Sequence, residues 1–452
     1  TQKLNSDGYR QEEKYYKILE EGGEKVTRII SSTEVDDLAN TKRAMENGSK
    51  YIAQGCFKVG NMKGYIDLIK RVEGSSRYGN YEYEAVEIKL SSKSKPEFLI
   101  QACANSELLA QEQNTNPKQF HIFLGKQKEE ITYSIENFWN LYSITKENFI
   151  EFLKRYKSIE CPELIKGDHG KRWTDTINLE LEKRRDLSLI AGIRASQIVK
   201  IKATGLKTID DFAALPSDFC IEGLKEDVFS VLRHQAKQQI QSERNGDKIS
   251  YSLKPIEAGK GLCLIPDNLD APVVIDFEGL PDPVDDNNLE YLLALGHEIK
   301  KKSELVYKDF WSHTLEEEKI GFEKFIDECE NYLSQNPNAK IVHYGHYEQD
   351  HLIKLSKRHE TKSEIIDKWL EDERLLDLLP IVKGALILGA KNYSLKSVEK
   401  LCLKNRTNGV TSAQDSIAEY SKWQSSDEGR TTKDSNILEK IALYNKQDII
   451  ST

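Results

Sequence analysis

The chain has 452 residues, 38% hydrophobic and 31% charged, with a formal net charge of −9. That is too long for one ordinary domain and has the balance of a folded, highly charged protein. The longest apolar run, ALILGA at 385–390, falls far short of the roughly 20 residues that span a bilayer, no signal peptide opens the chain, and seven scattered cysteines (56, 103, 161, 220, 263, 329, 402) make neither a disulfide framework nor a Cys-X-X-Cys site. A cytoplasmic, reduced setting with no membrane partner is the expectation.

Residues 9–23 (YRQEEKYYKILEEGG) read as an amphipathic helix ended by glycines, and a second helix is expected over 33–49. The period then changes to alternation. YIAQGCFKV, KGYIDLIKRV and YEYEAVEIKL read as three strands joined by turns at Gly60-Asn61 and near Gly79-Asn80. A helix over 96–112, strands over 119–124 and 130–134 and a helix over 135–160 complete a first α/β unit. Residues 187–216 carry short helices punctuated by Gly192 and Gly205, the pattern of a helix-hairpin-helix whose backbone N–H groups meet a phosphate; a packing module is the alternative. Residues 221–250 read as a charged helix serving as a linker. From about 268 come strands over 272–278, 289–299 and 304–311, a helix over 315–334, a strand over 340–344 and a helix over 347–358. This order resembles that of ribonuclease H-like domains. No G-x-x-x-x-G-K-[ST] loop occurs, so no ATP motor is visible.

Two constellations carry chemistry. In the first, Asp67 lies in GYIDLIKRV, and Glu87 and Lys89 share a strand face in VEIKL because strand side chains repeat every two residues. Two carboxylates hold a metal, and a lysine can orient or activate the attacking water. In the second, Asp276 and Glu278 share a face in VVIDFEG, Glu348 follows the strand IVHYGHY, and Tyr444 and Asp448 stand one helical turn apart in LYNKQD. Such oxygen ligands suit a pair of Mg2+ or Mn2+ ions, the two-metal arrangement that clamps a phosphate. Asp377 in LLDL is a candidate further acid near the metals, and Lys396 in YSLK a candidate phosphate contact; surface or packing roles are their alternatives. His343, His346 and His351 cluster around Glu348 and are read as packing or substrate contacts rather than ligands.

The first constellation resembles the RecB-like branch of the PD-(D/E)XK nucleases. The resemblance implies Lys89 and Gln101 as catalytic residues and Asp67 and Glu87 as metal ligands, with Glu12 a further candidate on the first helix. Gln11 stands where that branch has histidine, and Asn105 where it has tyrosine. The second constellation resembles the DEDD 3′–5′ exonucleases and, through DNNLEYLLALG, DFW, LLDLLPIVK and NYSLKSVEKL, the YprB-type ribonuclease H-like domain. It implies Asp276, Glu278, Glu348 and Asp448 as metal ligands and Tyr444 as the residue that orients the water. Glu348 stands where the family usually has aspartate.

The combined order resembles a bacterial family of RecB-like putative nucleases, often fused to a helicase. It implies a PD-(D/E)XK domain over 1–160, a helical helix-hairpin-helix and linker region over 161–250, and a mixed-sheet ribonuclease H-like domain over 251–452. Relatives carry a cysteine-rich knuckle before the hairpin; here only Cys161 and His169 remain, and no zinc or iron–sulfur cluster is expected. The ending at DIIST, inside the helix of Asp448, suggests a chain that continues. The implied function is a metal-dependent DNA nuclease acting on single strands or duplex ends, in repair or antiphage defence, with a helicase in the same chain or as a partner. A ribonuclease, and a degenerate nucleic-acid-binding scaffold that works with a helicase, are the alternatives.

Overall fold

Alternating apolar residues in the first 135 positions build a six-stranded sheet clad by helices on both faces. The computed structural model describes residues 2–30, 33–156, 164, 173–246, 248–282, 284, 288–299, 304–402, 410 and 412–452. Cys161, His169 and most of the GKRW stretch lie outside the described residues. Two compact units result: Thr1–Glu163 with Asp282–Asn287, and Leu164–Pro281 with Asn288–Thr452.

The first unit runs α1 (Gln2–Glu21), β1 (Val26–Arg28), α2 (Glu34–Glu46), β2 (Tyr51–Val59), β3 (Met62–Ser76), β4 (Gly79–Lys89), α3 (Pro96–Gln113), β5 (Gln119–Leu124), β6 (Glu129–Ser134) and α4 (Glu136–Tyr156). The sheet order follows the chain, with β2, β3 and β4 antiparallel and β4 parallel to β5. Period two sends Ile52, Ile69 and Ala85 into one core with Met45 and Leu109. It sends Ala53, Leu68, Val86 and Ile88 into another with Tyr15 and Tyr16 of α1. The sequence reading missed β1, because three residues are too few to establish a period.

The second unit opens with four helices, α5 (Thr174–Arg184), α6 (Ala195–Lys202), α7 (Ile209–Ala214) and α8 (Glu226–Arg244). Residues 221–250, expected as a linker, instead supply α8 as a packed element. Phe229, Leu232 and Ala236 of α8 share a core with Leu187, Ile201, Ile209 and Phe212. Gln235 donates to the Leu388 carbonyl at 2.6 Å, and Gln239 donates to Leu189 O at 2.9 Å. Buried amides bonded in this way fix the helix, because leaving them unpaired would cost about 1–3 kcal/mol each.

The remainder comprises β7 (Tyr251–Leu253), β8 (Val273–Leu280), β9 (Leu289–Ile299), β10 (Glu304–Trp311), α9 (Leu315–Gln335), β11 (Ile341–His343), α10 (Tyr347–His359), α11 (Ser363–Glu371), β12 (Leu375–Asp377), α12 (Leu378–Ala385), β13 (Leu386–Leu388), α13 (Leu395–Val398), α14 (Ala413–Gln424) and α15 (Asn436–Ser451). A five-stranded mixed sheet has the order β10-β9-β8-β11-β12, antiparallel through β8 and parallel beyond it. The central strand β8 turns Val273, Ile275 and Phe277 toward Phe322 and Phe325 of α9. Its other face is covered by α14 and α15, where Tyr291 and Ala294 of β9 pack on Tyr420, Ile441 and Ile449. Asp276 and Glu278 lie on this second face. No described helix is long and apolar enough to cross a membrane.

Gly296 sets how closely α15 approaches the sheet: a Cβ there would stand 2.5 Å from Ile449 Cγ2. Gly296→Val therefore overpacks this interface. It is expected to lower stability by about 1–3 kcal/mol, measured by denaturant unfolding.

Candidate functional site

Asp276 and Glu278 come from β8 and Asp448 from α15. One carboxylate oxygen from each lies within 4.8 Å of the other two, the only such group of three among the described residues. Glu278 and Asp448 are buried and Asp276 is half-buried. Three carboxylates gathered away from water repel one another, and the arrangement calls for a counter-charge. The donor set is all oxygen, which suits Mg2+ or Mn2+.

Neighbouring side chains hold these acids. Asn445 Nδ2 donates to Asp276 Oδ2 at 2.6 Å, and Tyr307 donates its hydroxyl to Asn445 Oδ1 at 3.0 Å. The Tyr291 hydroxyl is 3.5 Å from Glu278 Oε2 and 2.7 Å from Ser416 Oγ. Burial pushes the Glu278 carboxyl up from about 4.5 to about 8; a hydrogen bond from Ser416 lowers it and the Asp448 charge raises it. None of Asn445, Ser416, Tyr291 or Tyr307 was singled out by sequence. Only Asn445 left a signal, as a polar residue between Tyr444 and Asp448.

Glu348 stands apart from the group of three. It occupies the first turn of α10, is 5% exposed, and its Oε2 makes no hydrogen bond among the described residues. Burial first, then the charges of Asp377, Asp448 and Glu290, push its carboxyl up to about 8. His343 Nδ1 is 3.8 Å from Glu348 Oε2 but bonds Gly345 O at 2.5 Å. His351 pairs with Glu290 at 2.6 Å and stacks on Tyr347. Asp377 caps α12: its Oδ1 accepts from Leu379 N at 2.9 Å and from Gly345 N at 2.7 Å. It thereby pins the turn that leads into Glu348. Tyr444 is 3% exposed, and Lys396 Nζ lies 3.1 Å from its hydroxyl and 4.6 Å from its ring centroid. Burial, then Asp448, raises the Tyr444 phenol well above its ordinary range, so it stays protonated.

The first unit gathers a different cluster. Lys89 Nζ, from β4, is 2.8 Å from Glu87 Oε2 and 3.3 Å from Asp67 Oδ2 on β3. Burial favours the neutral amine, but Glu87 and Asp67 outweigh it and raise the Lys89 pKa. Burial, then Asp67, pushes Glu87 up to about 7. Here the positive charge between the acids belongs to the chain itself. Asn105 of α3 donates to the other oxygen of Glu87. Gln101, expected at this cluster, is exposed. Position 101 shares a helix face with Asn105, one turn nearer the start of α3, and it is Asn105 that is buried against Glu87. Glu12 accepts from Gln54 Nε2 at 2.6 Å, and burial, then Asp67, pushes its carboxyl up to about 7. Gln54 has φ of 56° and is skipped, with Asp67 opposite, in the β2–β3 register. Gln11 is buried and packs on Gly125.

Gly192 and Gly205 have φ of 80° and 87° and sit in the turns before α6 and α7. The left-handed backbone explains glycine at both positions.

Residues 273–452 match the model of a family described as the RNase H superfamily. No curated protein matches the chain. The matched span includes both β8 and α15, so an RNase H-like domain carries the three-carboxylate group. That fold generally hydrolyses phosphodiester bonds.

The raised carboxyls set a pH dependence. Without metal, a folded carboxyl near 8 keeps a proton that the unfolded chain loses near 4.5, so this contribution to stability is full below about pH 4.5 and is lost as pH rises through about 8. A cation needs the deprotonated acids and reverses the trend. Mn2+ affinity, measured calorimetrically, is expected to rise from pH 6 to about 8 with proton release and to level off above.

Proposed function

We propose that the chain is a metal-dependent nuclease that trims DNA from 3′ ends through its second unit. The observation that carries this reading is the convergence of Asp276, Glu278 and Asp448 within a span that matches the RNase H superfamily. These three acids, with Glu348, would hold a pair of Mg2+ or Mn2+ ions. Bound, such ions supply a nucleophilic water at neutral pH and neutralise charge on the phosphate. Tyr444 would help to orient the water through its hydroxyl. Lys396 places an ammonium beside that hydroxyl and attracts the substrate phosphate.

The Asp67–Glu87–Lys89 geometry favours a second reading for the first unit, a PD-(D/E)XK-type centre in which Lys89 activates water. The turns at Gly192 and Gly205 would add a phosphate-binding hairpin. A helicase, in the same chain or separate, would supply single strands. RNA in place of DNA, and a scaffold without cleavage, are the competing outcomes.

The test is digestion of 5′-labelled linear and circular DNA, single-stranded and duplex, with Mg2+ or Mn2+, comparing wild type, Asp276→Ala and Glu87→Ala. Linear substrate is expected to give a ladder that Asp276→Ala weakens by about 100-fold or more. Cleavage of circles, where it occurs, is expected to need Glu87 and not Asp276. Undiminished trimming by Asp276→Ala would remove the second-unit site from the account. Loss of every activity in both variants would end the independence of the two centres.

A further inference from the structure

A carboxylate that ligates a cation must be held against rotation, and residues outside the ligand set usually do this. Asn445 is fully buried on α15, between Tyr444 and Asp448. Its Nδ2 lies 2.6 Å from Asp276 Oδ2 and 3.3 Å from Asp276 O. Both of these atoms are acceptors, so only the amide's NH2 edge can face them. The carbonyl edge is thereby turned to Tyr307, whose hydroxyl donates to it at 3.0 Å. Hydrogen bonding thus has one direction, from Tyr307 on β10 through Asn445 on α15 to Asp276 on β8. The shorter contact goes to the carboxylate rather than to the backbone, as a charge-assisted bond does.

We propose that Asn445 is a positioning residue for the cation site. It holds the Asp276 carboxylate in its ligating orientation and ties the helix of Asp448 to the strand of Asp276, so that ligands from two elements keep one spacing. Tyr307 fixes the amide's orientation. This rests on the cation-site reading above and goes beyond it in naming residues outside the set of candidate ligands. A polar residue serving only to satisfy the helix–strand packing would affect stability without affecting the cation.

The test is Mn2+ binding by calorimetry on wild type, Asp276→Ala, Asn445→Ala, Asn445→Asp and Tyr307→Phe, with metal-free denaturant unfolding of each and the metal dependence of trimming. Asn445→Asp keeps the shape but replaces the donor edge with a carboxylate oxygen. Asn445→Ala is expected to bind Mn2+ about 10- to 100-fold more weakly and to need correspondingly more metal for half-maximal trimming, while the rate at saturating metal falls less; Asn445→Asp, whose added carboxylate itself attracts the cation, is compared for stability alone. Tyr307→Phe, which keeps the ring, is expected to shift affinity in the same direction by less. An Asn445→Ala protein that is less stable but binds Mn2+ as wild type does would overturn the proposal. If the Asn445 variants do not fold, unchanged affinity in Tyr307→Phe overturns it and weakened affinity supports it. Equal binding by wild type and Asp276→Ala would instead bring down the cation-site reading, and this proposal with it.

Discussion

Acidic side chains held in the interior of a protein require a positive charge or a proton. Asp276 and Glu278 sit on the central strand of a five-stranded sheet, under two helices, and Asp448 comes down on them from one of those helices. The local structure is arranged around that burden. Asn445 and Ser416 supply donors, Tyr307 and Tyr291 stand behind them, and Gly296 lets α15 come close enough for Asp448 to join. A divalent cation is the counter-charge that this all-oxygen set suits.

The first unit meets the same constraint in another way. Glu87 is fully buried beside Asp67, yet the Lys89 ammonium lies within 3.3 Å of both. An internal salt bridge of this kind offsets part of the acids' charge without an ion, and removing Lys89 would leave buried charge unpaired. In the first unit one lysine is shared by two acids, and burial with Asp67 still pushes Glu87 up to about 7. In the second unit burial raises the Glu278 carboxyl, the Lys396 charge lowers it but leaves it at about 8, and the all-oxygen set suits a divalent cation.

Much of this was legible in the sequence because strand periodicity is short and local. VVIDFEG and VEIKL each announce two side chains on one face, and both pairs stand together in the fold. The strand order from β8 to β10 and the helix after it were readable for the same reason. Gln101 lies one turn before Asn105 on the same face and is exposed, and it is Asn105 that bonds Glu87. Residues 221–250 read as linker because polar and charged residues together outnumber apolar ones there, while the apolar positions that dock α8 are spaced by its packing partners. Asn445 was invisible as a functional residue because its role depends on a contact with position 276, which only the tertiary fold creates. Asp377 reads in sequence as a further acid near the metals; in the structure it caps α12 and its charge acts on Glu348.

The most direct test is where a cation goes. Crystals soaked in Mn2+ would be measured for anomalous scattering. Density is expected beside the carboxylate oxygens of Asp276, Glu278 and Asp448, and is expected to be lost in Asp276→Ala. Density confined to other acids, or none near these three at saturating Mn2+, would contradict the cation-site reading.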